Sequence, residues 1–283
     1  MKRYLAFDLG ASSGRAIVGW IEDGILKLDE IYRFPNGAIQ VFDSMYWDIL
    51  RLFQEIKNGI IEYVKKYGSE LYSIGLDTWG VDFVLLNERD EPAGLVHTYR
   101  DNRTDDILEK MFQRVPKEEI FNQTGIQFMS INTSTQIFSM VDNNCPELEI
   151  TKTFLMIPDY FNFLLSGIKC SEYSDATTSQ LFNPIENNWA YDLIEKLGLN
   201  KEWFCEIKDP GTILGPIRKE IAVETGISPN TLIIAPLCHD TGSAIVAIPV
   251  DNKNVKEGEW AYISSGTWSL LGVELKKPLI NQK

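Results

Sequence analysis

The opening of the chain constrains its fold more than any other stretch. Residues 4–8, 15–21 and 25–32 are short apolar runs of strand length, and tight-turn residues separate them: Gly10-Ala11-Ser12-Ser13-Gly14, then Glu22-Asp23-Gly24. An Asp-Gly pair between apolar runs is a strong hairpin signal, so the segment reads as an antiparallel meander. From 46 to 66 the period changes. Trp47, Leu50, Phe53, Ile56, Ile60, Ile61 and Val64 recur at steps of three and four, which predicts an amphipathic helix ended by Gly68. Strands are expected at 71–76 and 81–86, joined by a bulged hairpin through Asp77-Thr78-Trp79-Gly80. Helical pieces follow over 104–145, broken at Pro116 and Gly125. A helix over 159–165 is opened by Pro158 and ended by Gly167. Helix over 216–225, a buried strand over 231–236, a helix from Asp240 to Val246 and two strands at 260–264 and 268–273 complete the reading. Meander, helix, strand and further helices argue a mixed sheet with helices packed on it, α/β in class.

Composition narrows the function. With 283 residues the chain makes one large domain or two ordinary ones. At 44% hydrophobic and 24% charged it matches globular averages, which excludes disordered and collagen-like classes. Forty acidic residues against 27 basic ones give a net charge of −13, which argues against a nucleic-acid partner. An anionic ligand must then be held by local groups against the overall field. Cys145, Cys170, Cys205 and Cys238 contain no close pair of the kind zinc sites use, so free thiols are expected. Asp8 interrupts the N-terminal apolar run too early for a signal peptide, and no stretch reaches membrane-spanning length. The expectation is a cytoplasmic protein with no membrane partner.

Four segments can carry chemistry. Asp8-Leu9-Gly10-Ala11-Ser12-Ser13-Gly14-Arg15 is a turn of small residues between strands. Its backbone N–H groups and hydroxyls can approach a phosphate, Arg15 can pair with phosphate oxygens, and Asp8 can hold a metal. An ordinary hairpin turn explains the same residues. His239-Asp240-Thr241 follows a strand at a helix start, where Asp240 is either an N-cap or a base at a strand's carboxyl end. Ser265-Gly266-Thr267-Trp268-Ser269 repeats the first design and can clamp a polyphosphate from the other side. In Asp77-Thr78-Trp79-Gly80-Val81-Asp82, Gly80 can admit a ligand to the backbone and Trp79 can offer a stacking face. Tyr99-Arg100-Asp101-Asn102-Arg103-Thr104 reads as a solvated ion pair, and His97 as a structural residue. No Gly-x-Ser-x-Gly elbow in strand-to-helix context supports a serine hydrolase.

The order of these segments, with Gly125-Ile126-Gln127-Phe128 and Pro158-Asp159-Tyr160-Phe161, closely resembles the FGGY sugar kinases from residue 4 to about residue 273. The resemblance implies an actin-like ATPase (ribonuclease H-like) fold with a cleft between two domains. It also implies ATP-dependent phosphorylation of a ketose, with Mg2+. The longer matching stretches favour L-rhamnulose, giving L-rhamnulose 1-phosphate, over L-fuculose or D-xylulose. Carried over by motif, Ala11, Ser12, Ser13, Gly14, Arg15 and Thr267 would contact ATP, and Asp8 would position Mg2+. Gly80, His239, Asp240 and Thr241 would contact the sugar, with Asp240 as the base. Residues 1–245 would form the sugar-binding domain. Residues 246–283 would begin a nucleotide-binding domain that the chain does not complete, and a non-catalytic sugar-binding module is the alternative.

Overall fold

The computed structural model describes residues 1–250, 258–266 and 269–281. The meander is present as β1 (Arg3–Leu9), β2 (Ser13–Glu22) and β3 (Ile25–Pro35), antiparallel in sequence order. Leu5, Phe7 and Leu9 of β1 and Ala16 and Val18 of β2 point inward at alternate positions, as one buried sheet face requires. The turn between β2 and β3 takes positive φ at both Asp23 and Gly24, the pairing that two-residue hairpins favour. A small hairpin, β4 (Ile39–Val41) with β5 (Ser44–Tyr46), leads into α1 (Ile49–Tyr67).

The buried face of α1 is Ile49, Leu52, Ile56, Gly59, Ile60 and Tyr63. It is turned from the predicted stripe, leaving Leu50 68% exposed, because the helix lies on β2 and β3 and against a later helix. Asp48 caps it, accepting the Arg51 N–H at 3.0 Å. Asp48→Ala is expected to lower stability by about 1 kcal/mol, read as a loss of roughly 2–4 °C in Tm.

β6 (Ser73–Thr78) lies parallel to β1. β7 (Phe83–Leu86) does not pair with it, so the expected hairpin through residues 77–82 is absent. The chain instead leaves the sheet after Thr78, and β7 forms a separate ribbon with a later strand. Helices α2 (Ile107–Arg114), α3 (Lys117–Thr124) and α4 (Thr133–Asp142) follow, with Pro116 and Gly125 bounding α3. After α5 (Glu147–Ile150) comes β8 (Thr153–Met156), the antiparallel partner of β7. α6 (Ile157–Ser166) has Pro158 in its first turn and Gly167 as a left-handed C-cap.

Short elements follow: β9 (Ser171–Glu172), α7 (Tyr173–Ala176), the hairpin β10 (Phe182–Asn183) with β11 (Asn188–Trp189), α8 (Tyr191–Lys196) and β12 (Ile207–Lys208). β13 (Thr212–Pro216) takes the residues up to the expected start of the helix at 216, so α9 (Lys219–Thr225) begins three residues later. β14 (Leu232–Ala235), α10 (Asp240–Val246), and the hairpin β15 (Ala261–Ser265) with β16 (Ser269–Val273) complete the described chain.

The main sheet runs β13-β14-β6-β1-β2-β3. Its centre, β14, β6 and β1, is parallel, and antiparallel strands flank it. One core joins this sheet to α1, α6 and α9. A second surrounds the β7–β8 ribbon, where Phe154 stacks on Phe83 and Phe204 at centroid distances of 5.2 and 4.8 Å. The mixed sheet flanked by helices is therefore as expected, and all four cysteines are free.

Candidate active site

Three parallel strands bring their carboxyl ends together, the place where open α/β sheets receive ligands. Asp8 near the end of β1 is in register with Asp77 near the end of β6. Beyond β6, Thr78 bridges to His239 in the loop after β14, and the Thr78 N–H donates to the Cys238 carbonyl at 2.8 Å. The sheet thus gathers Asp8, Asp77, His239 and Asp240 from three distant parts of the sequence.

Asp77 bears the electrostatic consequence. Burial, then the charges of Asp8 and Asp240, push its carboxyl up to about 8. Its Oδ1 is buried without a hydrogen-bond partner. Asp8 accepts from Arg15 across the β1–β2 pair, Nε to Oδ2 at 2.8 Å. The expected metal residue and the expected phosphate residue therefore hold each other in this structure. Asp240 opens α10, and its Oδ1 accepts the Thr241 N–H at 2.5 Å and the Thr241 hydroxyl at 3.1 Å. The His239 Nε2 lies 3.5 Å from the same oxygen. Burial lowers the His239 pKa and keeps the ring neutral at pH 7.

The turn at 10–14 is closed by the Gly10 N–H on the Ser13 carbonyl at 2.9 Å. Asn36 binds the carbonyls of Ser12, from its N–H at 3.0 Å, and of Gly10, from Nδ2 at 2.8 Å. With these carbonyls occupied inside the protein, the Ala11 and Ser12 N–H groups are the backbone donors the turn can offer. Gly14 has a different reason to be glycine: a Cβ there would sit 2.2 Å from the Phe34 ring. Its place in the motif is dictated by packing.

The segment 77–82 also departs from expectation. Trp79 is not an open stacking face. It is buried against Trp47, with centroids 4.2 Å apart, and its Nε1 donates to Asp82 Oδ2 at 2.9 Å. Asp82, wholly buried, also accepts from Trp47 Nε1 at 2.6 Å and Gln136 Nε2 at 3.0 Å. Burial raises its carboxyl to about 6, with these donors opposing the rise. A Cβ on Gly80 would meet the Thr178 side chain at 2.9 Å, and Thr178 Oγ1 accepts the Val81 N–H at 3.1 Å. Val81 itself has φ 70, a left-handed conformation that a β-branched residue adopts only when its surroundings impose it. Thr133 Oγ1, donating to the Val81 carbonyl at 2.7 Å, is part of that imposition.

The reading of 99–104 as a solvated pair is corrected. Asp101 is buried and accepts the N–H groups of Met45 at 2.6 Å and Arg103 at 2.9 Å. Arg103 turns away to Gln136 Oε1 at 2.9 Å. His97 does have a carboxylate neighbour, Asp101 Oδ2 at 3.6 Å, and burial, with Arg103 close by, drives its pKa down to about 4. His97 and Arg103 line a cavity of about 210 Å³ that touches none of the residues predicted for phosphate or sugar.

The hairpin around Gly266 is formed, with Ser265 opposite Ser269, while Thr267 lies outside the described residues. Among the described residues no three His, Cys, Asp or Glu side chains are grouped to hold a metal. That is compatible with a magnesium carried on nucleotide phosphates, which needs only one or two carboxylates; Asp8 and the unpartnered Asp77 Oδ1 supply hard oxygen donors of that kind. No helix of the described residues is long and apolar enough to cross a membrane.

Residues 3–247 match the FGGY family of carbohydrate kinases, N-terminal domain. Rhamnulokinases of Oceanobacillus iheyensis and Halalkalibacterium halodurans are each 45% identical to this chain over 279 residues. That is 99% of the chain but only 57% and 58% of those proteins, so the chain spans little more than half their length. A carbohydrate kinase structure from Novosphingobium aromaticivorans superposes with a TM-score of 0.82 at 20% identity, covering 98% of this chain and 57% of that one. Plasmodium falciparum glycerol kinase with ADP gives 0.78 at 17% identity, covering 96% and 54%. The fold is that of the actin-like ATPase kinases, and the chain belongs to the FGGY family of carbohydrate kinases.

Proposed function

We propose that this chain is the sugar-binding part of a cytoplasmic kinase that transfers the γ-phosphoryl group of ATP to the 1-hydroxyl of L-rhamnulose. The observation that carries the reading is the meeting of Asp8, Asp77 and Asp240 with the 10–14 turn at the carboxyl ends of β1, β6 and β14. The identity to proteins named rhamnulokinase supports the choice of sugar. In this reading residues 1–245 are the sugar-binding domain and 246–283 begin the nucleotide-binding one.

Phosphoryl transfer asks a protein mostly to position groups and to neutralise charge. Asp240 is suited to be the base. Thr241 occupies its Oδ1, leaving Oδ2 to accept the proton of the sugar's primary hydroxyl as that oxygen attacks phosphorus. His239, neutral, Thr241 and the Gly80 backbone would hold the sugar. Ala11, Ser12, Ser13 and Gly14 would face the phosphates, with Arg15 released from Asp8 to pair with them and Thr267 reaching them from the second turn. Mg2+, bound with ATP near Asp8 and Asp77, would offset phosphate charge.

The direct test is ADP release by the full gene product with ATP, Mg2+ and a panel of ketoses. L-rhamnulose is expected to be the best substrate; turnover of L-fuculose or D-xylulose with L-rhamnulose untouched would sink the sugar assignment. Gly80→Ala, which drives a methyl into Thr178 and loosens the Val81 N–H bond, is expected to weaken sugar binding about tenfold, the scale of one to two kcal/mol. Calorimetric titration of the variant against the parent measures it.

A further inference from the structure

The loop joining β14 to α10 ends on Asp240, and its path is fixed from outside. The Cys238 N–H donates to Glu172 Oε2 at 3.1 Å, and the His239 N–H donates to Ser174 Oγ at 3.1 Å. The Ser174 hydroxyl in turn donates to the same Glu172 oxygen at 2.5 Å. Both N–H groups that precede Asp240 therefore lead to one carboxylate oxygen. Glu172 is wholly buried and anchored in its own right. It lies in β9, paired with β12, and its N–H donates to Asp159 Oδ1 at 2.9 Å. It also caps α7 through the Asp175 N–H at 3.2 Å, although glutamate is not among the residues favoured for that position. Capping alone does not explain why a glutamate stands there.

We propose that Glu172 is a positioning residue for Asp240: its Oε2 fixes the Cys238–His239 backbone, directly and through Ser174, and thereby aims the Asp240 carboxylate at the sugar hydroxyl. The inference rests on the role of Asp240 proposed above. It is the acceptor that matters rather than the charge, because all three donors end on Oε2 while Oε1 has no partner. A glutamine can put its amide oxygen where Oε2 stands. A base displaced by about 1 Å loses about 100-fold in rate.

The experiment compares Glu172→Gln, Glu172→Ala and Ser174→Ala by two readouts. The first is amide hydrogen exchange at Cys238 and His239 in this chain, which does not depend on any activity. The second is kcat and KM for the ketose that the full gene product phosphorylates best. In Glu172→Ala both amides are expected to exchange at least tenfold faster, with kcat down 10- to 100-fold and KM nearly unchanged. Glu172→Gln is expected to restore both readouts to near the parent values. Ser174→Ala should release His239 while Cys238 stays protected. If Glu172→Ala does not fold, the other two variants still decide. A Glu172→Gln variant as impaired as an unfolded or alanine variant, protection unchanged in Ser174→Ala, or a loss confined to KM would overturn the inference. If the parent protein phosphorylates no ketose, the kinase reading fails, and the exchange rates separately accept or reject the tether.

Discussion

Asp240→Asn is expected to lower kcat about 1,000-fold, the middle of the range for removing a general base. Asparagine keeps the size of the side chain and an oxygen able to accept the Thr241 N–H that Oδ1 now accepts. The sugar pocket should keep its shape, so the sugar dissociation constant should stay within about threefold, as when an interaction used only in the transition state is removed. ADP release by the full gene product gives kcat, and calorimetry gives sugar binding. Near-parental turnover would remove Asp240 from its role. A loss of sugar binding as large as the loss of turnover would make it a binding residue.

Asp77→Asn is expected to stabilise the protein at alkaline pH. In the fold the Asp77 carboxyl is raised to about 8, from the 3.8 ordinary for an aspartate. The folded state therefore binds a proton that the unfolded state has already lost, and parental stability falls as pH rises from about 4 to about 8. Asparagine does not titrate. The advantage of the variant should be absent near pH 4, grow through neutrality and level off above pH 8. The full linkage for a shift of this size is about 6 kcal/mol, and about 3 kcal/mol is expected because Asp77, near the carboxyl end of the central strand β6, is only partly buried. Asp159, Glu172 and Asp175, whose carboxyls burial also raises, titrate alike in both proteins and cancel in the difference. Thermal unfolding at about pH 4.5 and pH 8.5 measures it, with Tm higher in the variant by roughly 6–12 °C at the alkaline end. Equal Tm values at both pH values would mean that Asp77 is ionised in the fold without penalty.

The parts of the fold legible in sequence are those that local chemistry dictates. The Asp23-Gly24 turn, the end of α1 at Gly68, and the Pro158–Gly167 limits of α6 each rest on local residues. The departures come from long-range demands. Residues 77–82 look like a bulged hairpin, but Asp82 is held by Trp47 and Gln136, 35 and 54 positions away, and no local pattern announces such partners. Gly14 and Gly80 read as small residues that leave the backbone open, and the nearness of Phe34 and Thr178, which also excludes a side chain at each, has no local signature. Asp101 and Arg103 look solvated because charged residues usually are, and only tertiary structure buries them. The motif residues of the candidate site are readable as turns and strand ends. The burial of Asp77 and the place of Glu172 are not, since a carboxylate's burial beside other acids leaves no mark on its neighbours in sequence.

Calorimetric titration of this chain itself with L-rhamnulose tests most directly whether it holds the ketose subsite. Saturable heat at one sugar per chain, persisting in Asp240→Asn and weaker for L-fuculose and D-xylulose, is the predicted result. A chain that unfolds cooperatively yet gives no saturable heat with L-rhamnulose, or that prefers another ketose, would contradict it.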